Sequence, residues 1–381
     1  MEVYFDNSAT TRVLDEVKDL TVKLMTEDYG NPSARHRKGM EAEQYVKNAA
    51  SQIAKTLKVK EKEILFTSGG TESNNMALIG TALANQRAGK HIISTRIEHA
   101  SVYQPLAFLE SLGFEVTYLS VDSEGHISLE ELEQSIRPDT ILVSVMYVNN
   151  EIGAIEPVEE IASLVHGKGK NIIFHVDAIQ AYGKIVIRPK KQGIDLLSVS
   201  GHKIHAPKGV GALYLSDRLV QAFQPPYLGG EQERGLRPGT ENLPYALGLA
   251  AAATRLAGSI KSRDKAVRAL NDRLRAGLSV FPEVEINSPA GAVPEVLNFS
   301  ENCIKSETML AWLSEKQIYV SSASACGRGQ PSHTLAAMGR DPLAIDTAIR
   351  VSFCADNTPE DVDAFLERFE DGMKHLQRIK K

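Results

Sequence analysis

The chain has 381 residues, about 43% hydrophobic and 24% charged, with a formal charge of −5. This is the composition of an ordinary globular protein, long enough for two domains, and it excludes fibrous and disordered chains. No basic stripe suits direct nucleic-acid binding, and no apolar run is long enough to span a bilayer.

The opening Met1-Glu2-Val3-Tyr4-Phe5-Asp6 lacks the charged-then-apolar pattern of a secretory signal. Three cysteines, Cys303, Cys326 and Cys354, form no C-x-x-C pair. That usage fits a reducing, cytoplasmic setting and gives no zinc or thioredoxin motif, so no metal is expected.

From Glu63 to Leu215 short apolar runs alternate with helix-length segments. The runs are 64–66, 91–94, 116–119, 141–145, 172–176, 196–199 and 210–214. They predict seven buried strands in a mainly parallel α/β sheet. The spacing predicts crossover helices over 71–86, 100–112, 128–136 and 157–168. Further helices are expected over 243–257 and 262–278. Beyond them, strands near 294–299 and 318–320 and helices near 306–315 and 359–377 predict a smaller α+β unit. The expected division is a large α/β domain over 14–257, with 1–13 and 258–381 forming the small domain.

Polar residues gather just after the predicted strands: Thr67-Ser68-Gly69-Gly70-Thr71-Glu72, Glu98-His99, Asn149-Asn150-Glu151, Asp177 with Gln180, and Ser200-Gly201-His202-Lys203. Open α/β sheets bind ligands at the carboxyl ends of their strands, so these five clusters describe one pocket. Gly69-Gly70-Thr71 opens a helix, where free N–H groups suit a phosphate; an ordinary turn with Thr71 as N-cap is the plainer alternative. It is neither a Walker loop nor a dinucleotide fingerprint. Asp177 either caps the next helix or partners a buried cation such as a pyridinium nitrogen. Lys203 in a pocket can form a Schiff base; most lysines are solvated charges, and Lys208 is the nearest competitor.

These residues resemble the class V aminotransferase-like enzymes of pyridoxal-phosphate (PLP) fold type I. Within that family they are most similar to the NifS/IscS-like cysteine desulfurases. The resemblance spans nearly the whole chain. It rests on Tyr4-Phe5-Asp6-Asn7-Ser8-Ala9-Thr10-Thr11, Thr67-Ser68-Gly69-Gly70-Thr71-Glu72, Val148-Asn149-Asn150-Glu151, His175-Val176-Asp177-Ala178, Ser200-Gly201-His202-Lys203, Arg237-Pro238-Gly239-Thr240 and Ser321-Ser322-Ala323-Ser324-Ala325-Cys326.

The resemblance implies that Lys203 carries PLP covalently and moves protons, and that His99 stacks on the ring and acts in acid–base steps. It puts Asp177 at the ring nitrogen, Asn150 and Gln180 on the phenolate side, and Gly70, Thr71, Ser200 and His202 at the phosphate. Thr240 is implied to reach the phosphate of the other subunit of a homodimer. Arg350 is implied to clamp the substrate carboxylate, with Asn150 also facing the substrate, and Cys326 to take sulfur from L-cysteine. The sulfur then passes to a protein acceptor such as an iron–sulfur scaffold or a sulfur carrier. A selenocysteine lyase, another class V enzyme, or a PLP-binding protein without turnover are the competing readings.

Two features depart from the family pattern. The Cys326 loop has Ala323 where the family has Gly and is about two residues short, which narrows its expected reach. His205-Ala206 replaces the usual aromatic–Gly pair after the lysine.

Overall fold

The seven apolar runs assemble into one sheet. The computed structural model describes residues 2–169, 171–220, 223–322 and 331–379. Its strands lie in the order Ile64–Thr67, Gly211–Leu215, Leu196–Ser200, Ile173–Asp177, Thr140–Met146, His91–Thr95 and Glu115–Leu119. All pairings are parallel except the two made by Gly211–Leu215. Every residue of the six strands other than Glu115–Leu119 is buried, because helices cover both faces. The carboxyl ends of the parallel strands therefore open on one side, where the polar clusters sit.

The expected helices are found at Ala100–Ser111, Leu129–Ser135, Val158–Lys168, Leu243–Ala257 and Ile260–Leu278. The segment expected as one helix over 71–86 is broken up. It runs as Gly70–Asn75, then a π turn over Met76–Gly80, then Thr81–Asn85. Gly80 allows this packing, since a Cβ there would lie 2.5 Å from the Phe223 ring.

Two long helices have no counterpart among the sequence expectations, Asp15–Thr26 and Arg37–Leu57, both packed on Leu243–Ala257; nor do the short helices His333–Ala337 and Pro342–Asp346. The buried stripe of the second is mostly alanine (Ala42, Ala49, Ala50, Ala54), which gives little hydrophobic contrast to detect.

A second, antiparallel sheet runs Ser321–Ser322, Ala348–Ser352, Val296–Ser300, Glu285–Ile286. The helices Ser306–Glu315 and Pro359–His375 contribute to the core on this sheet. Val3–Tyr4 pairs in parallel with Ile318–Tyr319, and Phe5 packs edge-on against Phe353 and Phe365. Among the described residues no helix is long and apolar enough to cross a membrane.

Glu156 is a buried carboxyl with a measurable consequence. Its Oε2 accepts from the Ile127 N–H, while Oε1 has no partner among the described residues, and burial pushes its pKa up to about 8. An unfolded glutamate titrates near about 4.3. Between those values the folded state holds a proton that the unfolded chain releases, so stability falls as pH rises through that window. Glu156→Gln should remove this slope and stabilise the protein by about 2–3 kcal/mol at pH ~8.5, read by urea denaturation. A variant no more stable than wild type at that pH contradicts the assignment.

Candidate active site

The helix Gly70–Asn75 starts right after the strand Ile64–Thr67, with Gly69 at φ +148°. Only glycine is comfortable there. A Cβ on Gly70 would lie 2.2 Å from Ile179 Cδ1 and 3.4 Å from Ser200 Cβ, so the bare backbone makes a tight cradle beside Ser200. Ser200 is buried and Thr71 exposed. Glu72 accepts from the Ser68 N–H and pairs with Arg237 at 2.9 Å. That ion pair holds the 237–240 segment close, and Thr240, itself exposed, lines a cavity with Thr67, Ser68 and Gly209 of the same chain.

Asp177 ends the strand Ile173–Asp177 and is buried. Its Oδ1 accepts from the Ile179 N–H at 2.9 Å, and its Oδ2 from Asn74 Nδ2 at 2.8 Å. Burial raises its pKa, while these hydrogen bonds and the charges of His99 and Lys203 pull it back. A buried carboxylate held by neutral donors is completed by a cation, and a pyridinium nitrogen supplies one.

His99 caps the helix Ala100–Ser111. Its Nδ1 lies 2.8 Å from Ser101 Oγ and accepts from the Ser101 N–H at 3.1 Å. Ser101 Oγ in turn accepts from Asn74 Nδ2 at 2.9 Å. A continuous hydrogen-bonded chain thus links His99 to Asp177. Asn74 and Ser101 were given no role from the sequence; Asn74 stands two residues beyond the Thr67–Glu72 motif, and Ser101 two residues beyond His99.

Lys203 lies in a short 3₁₀ turn, Gly201–Lys203, that follows the strand Leu196–Ser200. Its Nζ donates to the Ser8 and Ala9 carbonyls at 2.6 and 2.9 Å. Gln180 Nε2 also donates to Ser8 O, and Gln180 Oε1 accepts from Lys184 Nζ at 2.7 Å. His202 is pushed down to about 4 by burial, with Lys203 and Lys208 adding to the effect. It is therefore a neutral ring at pH 7, able to offer an N–H rather than a charge. His205 takes φ +62°, and its N–H donates to Thr11 Oγ1 at 2.7 Å while its ring meets Arg12 O. These bonds hold a non-glycine residue in the left-handed region.

From the smaller sheet, Arg350 enters almost fully buried. It donates to Asp6 at 2.9 Å and to the Asn150 carbonyl at 3.0 Å, and its buried Nε has no partner among the described residues. Ser321 pairs in register with Arg350, so the segment that leads to Cys326 departs from the strand beside Arg350. It returns at Ser332 and Thr334, which donate to the buried Glu151, and at His333, whose ring meets the Glu98 carbonyl at 2.9 Å. Cys326 itself lies outside the described residues.

The structure thus joins Asp177 to His99, Lys203 to Gln180, Arg350 to Asn150 and Gly70 to Ser200. The residues present fit PLP: a buried carboxylate for the ring nitrogen, a lysine, and a helix-start cradle for the phosphate.

Comparison with known proteins agrees. The profile of the Aminotransferase class-V family matches residues 3–365. The chain is 44% identical over 380 residues to the cysteine desulfurase IscS of Methanosarcina thermophila, covering 99% of this chain and 93% of that protein. Among solved structures, a NifS-like protein superposes with a TM-score of 0.94 at 40% identity, covering 99% of this chain and 100% of that one. SspA in complex with cysteine superposes with a TM-score of 0.83 at 33% identity, covering 94% of this chain and 100% of that one. With a PLP-compatible site on this sheet and near-complete matches of this kind, the chain belongs to the class V aminotransferase family and, within it, to the NifS/IscS-like cysteine desulfurases.

Proposed function

We propose that this enzyme takes sulfur from L-cysteine onto Cys326, releases L-alanine, and hands the sulfur to a protein acceptor such as an iron–sulfur scaffold or a sulfur carrier. The observation that carries this reading is the meeting of Asp177, His99 and Lys203 at the carboxyl ends of the strands of one sheet, with Arg350 entering from the other sheet. Bound there, PLP supplies an electron sink for the substrate's α-carbon.

Lys203 holds the cofactor and moves the α-proton, and Asp177 keeps the charge on the ring nitrogen. Gly70, Thr71, Ser200 and His202 serve the phosphate, and Asn150 and Gln180 the phenolate side. Arg350 offers a fixed fork to the substrate carboxylate, and its Nε, without a partner among the described residues, is a donor in want of an acceptor. His99 acts beside the ring.

Cys326 is the sulfur acceptor in this reading. The two described thiols are poor nucleophiles: burial pushes Cys303 up to about 12 and Cys354 up to about 11, so both are protonated at neutral pH. Cys326 is four residues past Ser322, a tether of at most about 14 Å. Its segment starts beside Arg350 and ends beside Glu98, which supports delivery of the thiol to the substrate.

Further parts of the proposal are a cytoplasmic location and a C2 homodimer, in which Thr240 completes the partner's phosphate site. Tyr227 and Leu228, 46% and 95% exposed, line a groove with Thr240 and offer apolar surface for such a contact. The two-domain division, 14–257 against 1–13 and 258–381, is supported by the separate core that Val3 and Phe5 share with residues between Val267 and Met373.

The experiment is to compare alanine release from L-cysteine by wild type and Cys326→Ser. The variant should lose alanine formation while keeping the visible spectrum of the bound cofactor. Comparable rates would remove Cys326 from the mechanism.

A further inference from the structure

We infer that Ser101, backed by Asn74, is a positioning residue that fixes the tautomer of His99, with the ring proton on Nε2. This deepens the acid–base role proposed for His99.

The direction of each bond in the chain follows from its ends. A carboxylate only accepts, so the Asn74 group facing Asp177 Oδ2 at 2.8 Å is the NH2. The same nitrogen lies 2.9 Å from Ser101 Oγ, so both amide hydrogens are used. A flipped Asn74 would set its oxygen against the carboxylate, and this orientation is kept although Asn74 Oδ1 has no partner among the described residues. Ser101 Oγ accepts from Asn74 and keeps its single hydrogen to give, and His99 Nδ1, 2.8 Å away, is already an acceptor of a backbone N–H, so the hydroxyl hydrogen goes to Nδ1. The Ser101 backbone N–H donates to the same nitrogen at 3.1 Å. Two donors converge on Nδ1, so Nδ1 cannot carry a proton in this arrangement.

Two consequences follow. The neutral ring exchanges its proton through Nε2 alone. The orientation of the ring is also tied through two side chains to Asp177, the residue that faces the cofactor nitrogen. Ser101 touches neither cofactor nor substrate in this scheme and acts through His99.

The test is histidine-selective 15N NMR of the holoenzyme, with His99→Gln used to assign the resonance. Wild type should show one-bond proton coupling at Nε2 only, with Nδ1 an unprotonated, hydrogen-bonded nitrogen. In Ser101→Ala, Nδ1 loses the hydroxyl donor and keeps the backbone one, and the tautomer ratio should move about threefold to tenfold toward Nδ1–H. The kcat should fall by a similar factor at unchanged KM for cysteine, and Ser101→Thr, which restores a hydroxyl, should recover both. A wild-type proton on Nδ1, or a Ser101→Ala spectrum identical to wild type, overturns the inference. If His99→Gln retains full alanine formation while the spectra come out as expected, the catalytic role of His99 fails and the tautomer assignment stands.

Discussion

Lys203→Ala should purify folded, without the visible absorbance of a lysine-bound cofactor, and with alanine release lowered about a thousand-fold or more. On the roles proposed for Lys203, two are lost together, the covalent attachment and the proton transfer at the α-carbon. The side chain is half-buried and its Nζ rests on two carbonyls, so its removal opens little space in the core.

The rival lysine is not the one the sequence suggests. Lys208 is exposed on a turn. Lys184 is the stronger competitor: burial, with the charges of Arg350 and Arg263, pushes its pKa down to about 8 against the pull of Glu295. A lysine near that value is partly unprotonated at neutral pH and chemically able to attack a carbonyl. Its Nζ donates to Gln180 Oε1, however, on the far side of that amide, whereas Lys203 follows Ser200 directly in the chain. Borohydride reduction and peptide mapping should place the adduct on Lys203. An adduct on Lys184, or an unchanged spectrum in Lys203→Ala, defeats the assignment.

Asp177→Asn should lower turnover by about 10²–10³-fold while the cofactor still attaches to Lys203. The amide fills the same space and still accepts from the Ile179 N–H, but it cannot hold a charge on the ring nitrogen. Folding should not suffer, because burial already disfavours the ionised carboxyl. The substitution also places an amide against Asn74, whose NH2 then loses its carboxylate acceptor. Steady-state rates and the visible spectrum of the purified variant test this together. Turnover within tenfold of wild type would show that the ring nitrogen is served by another group.

The sheet was legible because its strands are apolar on both faces and the segments between them are long enough for crossover helices. The helix Leu243–Ala257 matches the expectation at both ends, and Asn242 caps it as a sequence reading would want. Arg37–Leu57 escaped because alanine marks its buried side, and the π turn at Met76–Gly80 escaped because it depends on Phe223, far along the chain.

The site divides in the same way. Asp177, His99 and Lys203 stand out as polar residues directly after apolar strands. Ser101 and Lys184 do not, since a serine in a helix and a lysine after a glycine are common. The carbonyls of Ser8 and Ala9 carry no side-chain signal at all, and they meet Lys203 from 195 and 194 positions away.

The stitching of residues 5–8 to the strand Ala348–Ser352 has a consequence for biosynthesis. The Ser352 N–H donates to Phe5 O at 2.6 Å, Asn7 Nδ2 donates to Ser352 O at 2.9 Å, and the Ser8 N–H donates to Ser352 Oγ at 2.9 Å. During translation the segment that forms the resting place of Lys203 emerges well ahead of the strand that shapes it, with Asn7 and Ser352 separated by 345 positions. Contacts of such separation form late, after the loop between them has closed. The growing chain therefore carries its lysine, its carboxylate and its phosphate cradle long before it has the wall behind them. A nascent chain halted before Ser352 therefore has no finished pocket in which to keep a cofactor.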